Sequence, residues 1–213
     1  MRAKEFLNES TNTNILVVDV QPVYDAWSGA IVNGVAQLMN RSRGGLYVLY
    51  NAESQTADTY ADVINYLYEG GLTEQTASRI KYFSKEYGFF RPWMDMGVPD
   101  RIIIKTIRTM VQRRVNDSRM LDINSVLTPE EQKLFYTHFK YLGWEDEGIY
   151  FPDFMPISIL KQISPFYLVG GGRNECLREI ELLCNAFNIR YTRTDSLIYG
   201  KYESTRIYCS VRR

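Results

Sequence analysis

Three short, largely apolar runs constrain the fold of this 213-residue chain more than any other feature of its sequence. The runs are Asn14–Val20, Leu46–Tyr50 and Pro165–Gly170, and most of their residues are β-branched, leucine or aromatic. Strands that are buried on both faces of a parallel sheet have continuous runs of this kind, whereas strands with one solvated face alternate apolar and polar residues. The sequence therefore predicts at least three buried parallel strands.

Segments with apolar residues at helical spacing separate these runs. Helices are predicted at residues 29–42, 58–69, 99–116, 128–141, 158–163 and 174–187, and further strands at 80–83, 189–192 and 206–209. This alternation is typical of an α/β fold, a three-layer α/β/α sandwich of Rossmann-like type with a mostly parallel central sheet. We expect a single domain over residues 1–213, because no linker or internal repeat interrupts the alternation.

The composition excludes several classes of protein. A single histidine, His138, excludes metal sites that take two or three imidazoles from one chain. The 25 basic and 25 acidic residues balance, so no net field draws the chain to nucleic acid. The apolar runs are far shorter than the roughly 20 residues that cross a bilayer, and no secretion signal opens the chain. With an odd number of cysteines (Cys176, Cys184 and Cys209), we expect a reduced, cytoplasmic protein without membrane or nucleic-acid partners.

Three chemically active residues stand at predicted strand ends, where ligands bind in parallel α/β sheets. They are Asp19, Lys85 and Cys176, the last just beyond the turn Gly170–Gly172. A helical cysteine is more often a buried apolar residue, and a lysine is more often solvated. Cys176, however, is predicted at a helix N-terminus, whose N–H groups and dipole favour a thiolate. Together the three could supply a proton acceptor, a cation and a nucleophile.

The segments around these residues resemble the isochorismatase-like cysteine hydrolases, the superfamily that includes nicotinamidases. Residues 16–24 resemble its opening pattern, an apolar strand followed by D-x-Q-x-x-aromatic. Residues 85–90 are similar to its lysine segment, and residues 166–177 to its second signature, in which the nucleophilic cysteine follows a glycine by six positions. The segments occur in the family's order. The resemblance implies a helical insertion around residues 91–153 of the single domain.

The resemblance also implies a mechanism. Cys176 would attack a carbonyl carbon and form a thioester-type intermediate, Asp19 would take the thiol proton and later activate water, and Lys85 would stabilise the thiolate. The N–H groups of Gly172 and Cys176 would form the oxyanion hole. The expected protein is a homo-oligomer that hydrolyses a small-molecule substrate, a small amide or related compound. The expected oxyanion and substrate-binding residues are Gly171, Gly172, Gln21, Tyr24, Phe89 and Arg173.

Some positions depart from the family pattern. Arg173 stands where the family commonly has threonine, and Gly171 where it commonly has an apolar residue. A non-proline cis peptide, frequent in this turn of the family, would fall between Gly171 and Gly172. Residues 51–55 lack the histidine of the nicotinamidase metal cluster, so we expect neither a metal nor a cofactor.

Two other functions remain open from the sequence. The first is a non-catalytic isochorismatase-like binding or assembly protein, which Arg173 and the large insertion would suit. The second is a metal-dependent nuclease site built from the four aspartates Asp19, Asp122, Asp153 and Asp195. A basic stripe on the predicted helix 99–116 (Arg101, Lys105 and Arg108) is interpreted as a solvated face or a subunit contact rather than a phosphate site.

Overall fold

The computed structural model describes residues 12–52, 58–85, 90–140, 148–149 and 155–200. Five strands within these ranges form one sheet in the order β3-β2-β1-β4-β5, and every neighbouring pair is parallel. The strands are β1 (Asn14–Val18), β2 (Leu46–Asn51), β3 (Ile80–Lys85), β4 (Phe166–Gly170) and β5 (Tyr191–Arg193). The predicted parallel sheet is thus confirmed, and the strand predicted at 206–209 lies outside the described residues.

Helices connect the strands. They are α1 (Asp25–Ser28), α2 (Val32–Arg41), α3 (Tyr60–Glu69), α4 (Glu74–Ala77), α5 (Arg91–Asp95), α6 (Asp100–Arg113), α7 (Ile123–Val126), α8 (Pro129–Lys140), α9 (Met155–Ile163) and α10 (Cys176–Phe187). Single turns of 3-10 helix occur at Pro22–Tyr24, Ser118–Met120 and Asp195–Leu197. No helix in the described part of the chain is long and apolar enough to cross a membrane.

The sheet separates two apolar cores, as the period of two along a strand requires. Leu16 and Val18 of β1 face a core that residues of α5 to α10 complete. Ile15 and Val17 face the other core, which is built with α2, α3 and the segment through α4. Helices therefore cover both faces, and the expected three-layer α/β/α sandwich is confirmed.

The helices between β3 and β4 belong to the core. Trp93 of α5 and Ile103 of α6 are buried in it, and α6 packs along α10. The basic stripe of α6 also holds neighbouring elements. Lys105 Nζ lies 2.6 Å from Glu131 Oε2, and Arg108 Nε donates to the carbonyl of Ala186 at 2.6 Å. These two cations therefore have intramolecular partners within the protein.

The topology places a crevice at the carboxyl ends of β1 and β4. The two strands are neighbours and end together, with Val18 opposite Gly170. The chain leaves β1 toward the core that contains α2, but it leaves β4 into α10 on the opposite face. Adjacent strands whose connections diverge to opposite faces form the switch point at which parallel α/β sheets bind ligands.

Candidate active site

Asp19 lies at the floor of this crevice, directly after β1. Its φ of 46° is left-handed, and its N–H donates to the carbonyl of Leu49 at 2.8 Å. Aspartate tolerates this conformation better than most residues, and it turns the chain out of the strand after Val18. The side chain is fully buried, and Oδ2 lies 2.7 Å from Lys85 Nζ. The Lys85 ammonium and the Cys176 side chain both lie within hydrogen-bonding reach of this carboxylate. The carboxylate therefore contacts both a cation and a thiol.

Lys85 is the last residue of β3, two strands away from β1 in the sheet. Two strand spacings amount to roughly 10 Å, a distance that the long lysine side chain can bridge. Burial by itself would lower the pKa of Lys85, but the negative charge of Asp19, with smaller contributions from Cys176 and Glu179, raises the pKa above its ordinary value. Lys85 is therefore a permanent ammonium inside the protein.

A turn of three glycines leads from β4 to Cys176. Gly170 and Gly171 have φ values of 77° and 66°. A Cβ atom on Gly170 would lie 2.4 Å from the carbonyl oxygen of Val18, so only glycine fits beside β1 at this position. The expected cis peptide between Gly171 and Gly172 is wrong, because that bond is trans. Two successive glycines with positive φ, a conformation that glycine adopts readily, form the turn here.

Cys176 is the first residue of α10 and is partly exposed to solvent. Burial, and then the nearby negative charge of Asp19, raise the pKa of its thiol to about 12, while Lys85 acts in the opposite direction. A thiol with a raised pKa needs a base to take its proton, and the nearby Asp19 carboxylate is a group that can do so.

The backbone of the turn leaves two N–H groups next to the sulfur. The N–H groups of Glu175 and Leu177 donate to the carbonyl of Gly172, and that of Arg173 to the carbonyl of Tyr199. Those of Gly172 and Cys176 have no acceptor within the described chain. Unsatisfied N–H groups at the start of a helix can hold a developing negative charge. These are the two groups that the resemblance to the isochorismatase-like hydrolases implies for the oxyanion hole.

A cavity of about 460 Å³ opens onto Cys176. Its lining residues are Tyr24, Trp27, Arg91, Gly172, Arg173, Asn174, Glu175, Cys176, Tyr199 and Gly200. Among the expected substrate-binding residues, Tyr24, Gly172 and Arg173 thus line the cavity. Gly171 and Gln21 do not, and Phe89 lies outside the described residues.

Gln21 holds Tyr24, a residue of the cavity wall, through Asn51. It is fully buried, and its amide both donates to the carbonyl of Asn51 and accepts from the Asn51 N–H, at 3.0 and 2.8 Å. The side chain of Asn51 in turn donates to the hydroxyl of Tyr24 at 2.9 Å. This chain of hydrogen bonds fixes Tyr24, so Gln21 supports the cavity without lining it.

Arg173 has a structural partner. Its guanidinium donates to Asp195 Oδ1 at 2.8 Å, and the residue is buried. The ion pair joins the turn before α10 to the segment that follows β5. Tyr199, in the segment after β5, forms a parallel β-bridge with Gly172 of the turn. The Tyr199 hydroxyl donates to the backbone carbonyl of Asp19 at 3.3 Å.

Sequence reasoning missed six residues of the site: Arg91, Asn174, Glu175, Glu179, Tyr199 and Gly200. Arg91 Nε is held by Asp95, and an Nη group contacts Glu175 Oε1 at 3.2 Å at the cavity wall. Glu179 had a detectable signal, because it lies three residues after Cys176 and therefore on the same helical face. Tyr199 had none, because its approach depends on how the chain returns after β5.

The aspartates of the alternative nuclease site that lie in the described ranges do not form a cluster. Asp122 caps α7, Asp195 pairs with Arg173, and Asp153 lies outside the described residues. Throughout the ranges that the structure covers, no group of three or more His, Cys, Asp or Glu side chains could hold a metal ion.

Comparison of the chain with family models, with curated proteins and with solved structures finds no match. What the fold defines is an α/β protein with a parallel sheet and a polar crevice at its switch point. The assignment of a function therefore depends on the chemistry of that crevice.

Proposed function

We propose that this protein is a cysteine-dependent hydrolase of the isochorismatase-like type that acts on a small amide or related compound. The observation that carries the proposal is the buried contact between Asp19 Oδ2 and Lys85 Nζ at 2.7 Å, with Cys176 near enough for Asp19 to raise the pKa of its thiol. In this arrangement the carboxylate of the charged pair supplies a base, and the partly exposed thiol beside it supplies a nucleophile.

The first half of the reaction forms a thioester. The Cys176 thiol transfers its proton to the Asp19 carboxylate as the sulfur attacks the carbonyl carbon of the substrate. Lys85 compensates the negative charge that leaves Asp19 and develops on the sulfur. The N–H groups of Gly172 and Cys176 stabilise the oxyanion. The C–N bond then breaks, and the amine leaves with the proton from Asp19.

The second half regenerates the thiol. Asp19, again a carboxylate, takes a proton from water, and the resulting nucleophile attacks the thioester carbonyl. Collapse of this intermediate breaks the C–S bond, releases a carboxylic acid and returns a proton to the sulfur. These residues supply acid, base and nucleophile, so the proposed cycle needs no metal.

The cavity limits the substrate to a small molecule. Its volume of about 460 Å³ is within the usual range of small-ligand sites, roughly 300–1,000 Å³. Tyr24 and Trp27 form a tilted aromatic pair on one wall, with ring centroids 6.4 Å apart. Arg91 and Asn174 add polar groups. This combination suits a compound with a flat or apolar body and a polar group near the reacting carbonyl.

A binding protein without catalysis is the second candidate. The raised pKa of the Cys176 thiol favours it, because a thiol with a pKa of about 12 is a weak nucleophile unless a base takes its proton. The two candidates therefore differ in whether Asp19 acts as that base.

A turnover screen with matched cysteine variants separates the candidates. We expect release of amine or alcohol from at least one compound in a panel of small amides and esters, and complete loss of this activity in Cys176→Ala. Cys184→Ala is the control, because Cys184 is on the same helix but fully buried away from the cavity. A compound that raises the melting temperature while no panel member is turned over would favour the binding protein.

A further inference from the structure

A second buried carboxylate lies beside the proposed catalytic cluster, which consists of Asp19, Lys85 and Cys176. Glu179 is on α10, one turn after Cys176, and is 2% exposed. Residues three apart on a helix share a face, so its side chain projects toward the same region as the sulfur. The mechanism described above assigns Glu179 no task, yet a buried carboxylate is costly unless its partners compensate for lost hydration.

Glu179 anchors the chain that follows the lysine. The N–H of Phe90 donates to Glu179 Oε1 at 2.7 Å, and the Phe90 side chain is fully buried. Phe90 lies five residues after Lys85 and immediately before α5. The carboxylate thus joins α10, which carries Cys176, to the residue that precedes α5.

Glu179 also acts on the cluster by its charge. Its pKa is raised by burial, while Lys85 and the Phe90 N–H act in the opposite direction. Lys85 therefore acts electrostatically on the carboxylates of Asp19 and Glu179 and on the Cys176 sulfur. The charged and titratable groups that face Cys176 or Glu179 are Asp19, Tyr24, Lys85, Arg91 and Tyr199.

We propose that Glu179 is a positioning residue of this site, which holds Phe90 at the start of α5 and competes with the Cys176 thiolate for the Lys85 ammonium. The role rests on the proposed function, since it presupposes the Asp19–Lys85–Cys176 chemistry. It differs from a merely structural role in one measurable respect. Loss of the charge alters the protonation of the sulfur even where the hydrogen bond to Phe90 is kept.

The pH profile of Cys176 alkylation by iodoacetamide, followed by peptide mass spectrometry, tests this role. Glu179→Gln keeps an oxygen acceptor for Phe90 but removes the charge. We expect its profile to move by about one unit to lower pH, which is about a tenfold faster reaction below the midpoint. Glu181→Gln is the matched control. Glu181 is 5% exposed on the same helix but pairs with Arg178 and Arg193, so its profile stays with the wild type.

An alanine variant tests the anchoring. Glu179→Ala lacks the acceptor, so turnover of the best panel substrate falls by about tenfold or more, because small displacements of a catalytic group are expensive. Glutamine restores most of that rate. The role of Glu179 is overturned if the Glu179→Gln profile coincides with the wild type, or if alanine turns over as fast as glutamine. An unreactive wild-type Cys176, insensitive to Asp19, overturns the proposed function instead and this role with it.

Discussion

Asp19 Oδ2 lies 2.7 Å from Lys85 Nζ, although β2 separates the strands from which the two residues come. A buried ion pair pays a large desolvation cost on both partners, and apolar residues of similar volume often stabilise a fold equally well. A contribution to the stability of the fold is therefore a weak explanation for the presence of this ion pair. Its place at the switch point, beside a thiol, is the arrangement that acid–base chemistry requires.

Removal of the lysine charge should destabilise the fold. Lys85→Met leaves the fully buried Asp19 without its cation, and we expect the free energy of unfolding to fall by about 3–5 kcal/mol, the usual cost of breaking a buried pair. Urea unfolding at neutral pH measures this. Lys81→Met is the control on the same strand, since Lys81 is exposed and its ammonium lies 5.8 Å from the centroid of the Tyr47 ring; it should cost less than about 1 kcal/mol. An equal loss of unfolding free energy in the two variants would contradict the presence of a buried ion pair between Lys85 and Asp19.

Replacement of Asp19 should separate thiolate formation from catalysis. Asp19→Asn keeps a residue that tolerates the left-handed φ and removes the charge that opposes the thiolate. Since the carboxylate raises and Lys85 lowers the thiol pKa, the pKa falls below about 12 and the alkylation profile moves to lower pH, by about one unit or more. Turnover, which needs the base, falls by about a hundredfold or more. Alkylation and turnover that change in the same direction would contradict the assignment of Asp19 as the base.

The glycine turn should tolerate no side chain at Gly170. Gly170→Ala places a Cβ 2.4 Å from the Val18 carbonyl, which adds a clash to the strain of a positive φ and should cost at least about 2 kcal/mol more than the strain alone. Gly71→Ala supplies the strain without the clash, because at a φ of 95° its nearest neighbour would be 3.9 Å away. The two melting temperatures compare the costs directly, and a similar loss at both positions would contradict the tight packing of β4 against β1.

Much of the scaffold follows from apolar periodicity. The runs beginning at Asn14, Leu46 and Pro165 form β1, β2 and β4, and the predicted 174–187 helix is observed as Cys176–Phe187. The first run ends earlier than predicted, at Val18, because the left-handed φ of Asp19 breaks the strand while Val20 remains buried beyond it. A local pattern can indicate burial, but it does not reveal where the backbone turns.

The site was harder to predict because its electrostatics depend on three-dimensional burial. A helix N-terminus and a lysine both favour a thiolate at Cys176, whereas the burial of the sulfur, which raises the pKa of the thiol, is visible only in the structure. Tyr199 reaches the site through a hydrogen bond to the backbone carbonyl of Asp19, 180 positions away. Contacts of such separation leave no periodic trace in a single sequence.

The most direct test of the central claim is the mass of the protein after exposure to p-nitrophenyl acetate. The Cys176 sulfur should attack the ester carbonyl and release p-nitrophenolate. In Asp19→Asn the thiol has a lower pKa and attacks this activated ester without the base, but the base that activates water is missing, so one acetyl group should accumulate and map to Cys176. The wild type and Cys184→Ala should instead release p-nitrophenolate with turnover, and Cys176→Ala should gain no acetyl group at this site. An unmodified Cys176 in Asp19→Asn, or acetylation that reaches Cys184 equally, would contradict the assignment of Cys176 as the nucleophile of a hydrolase.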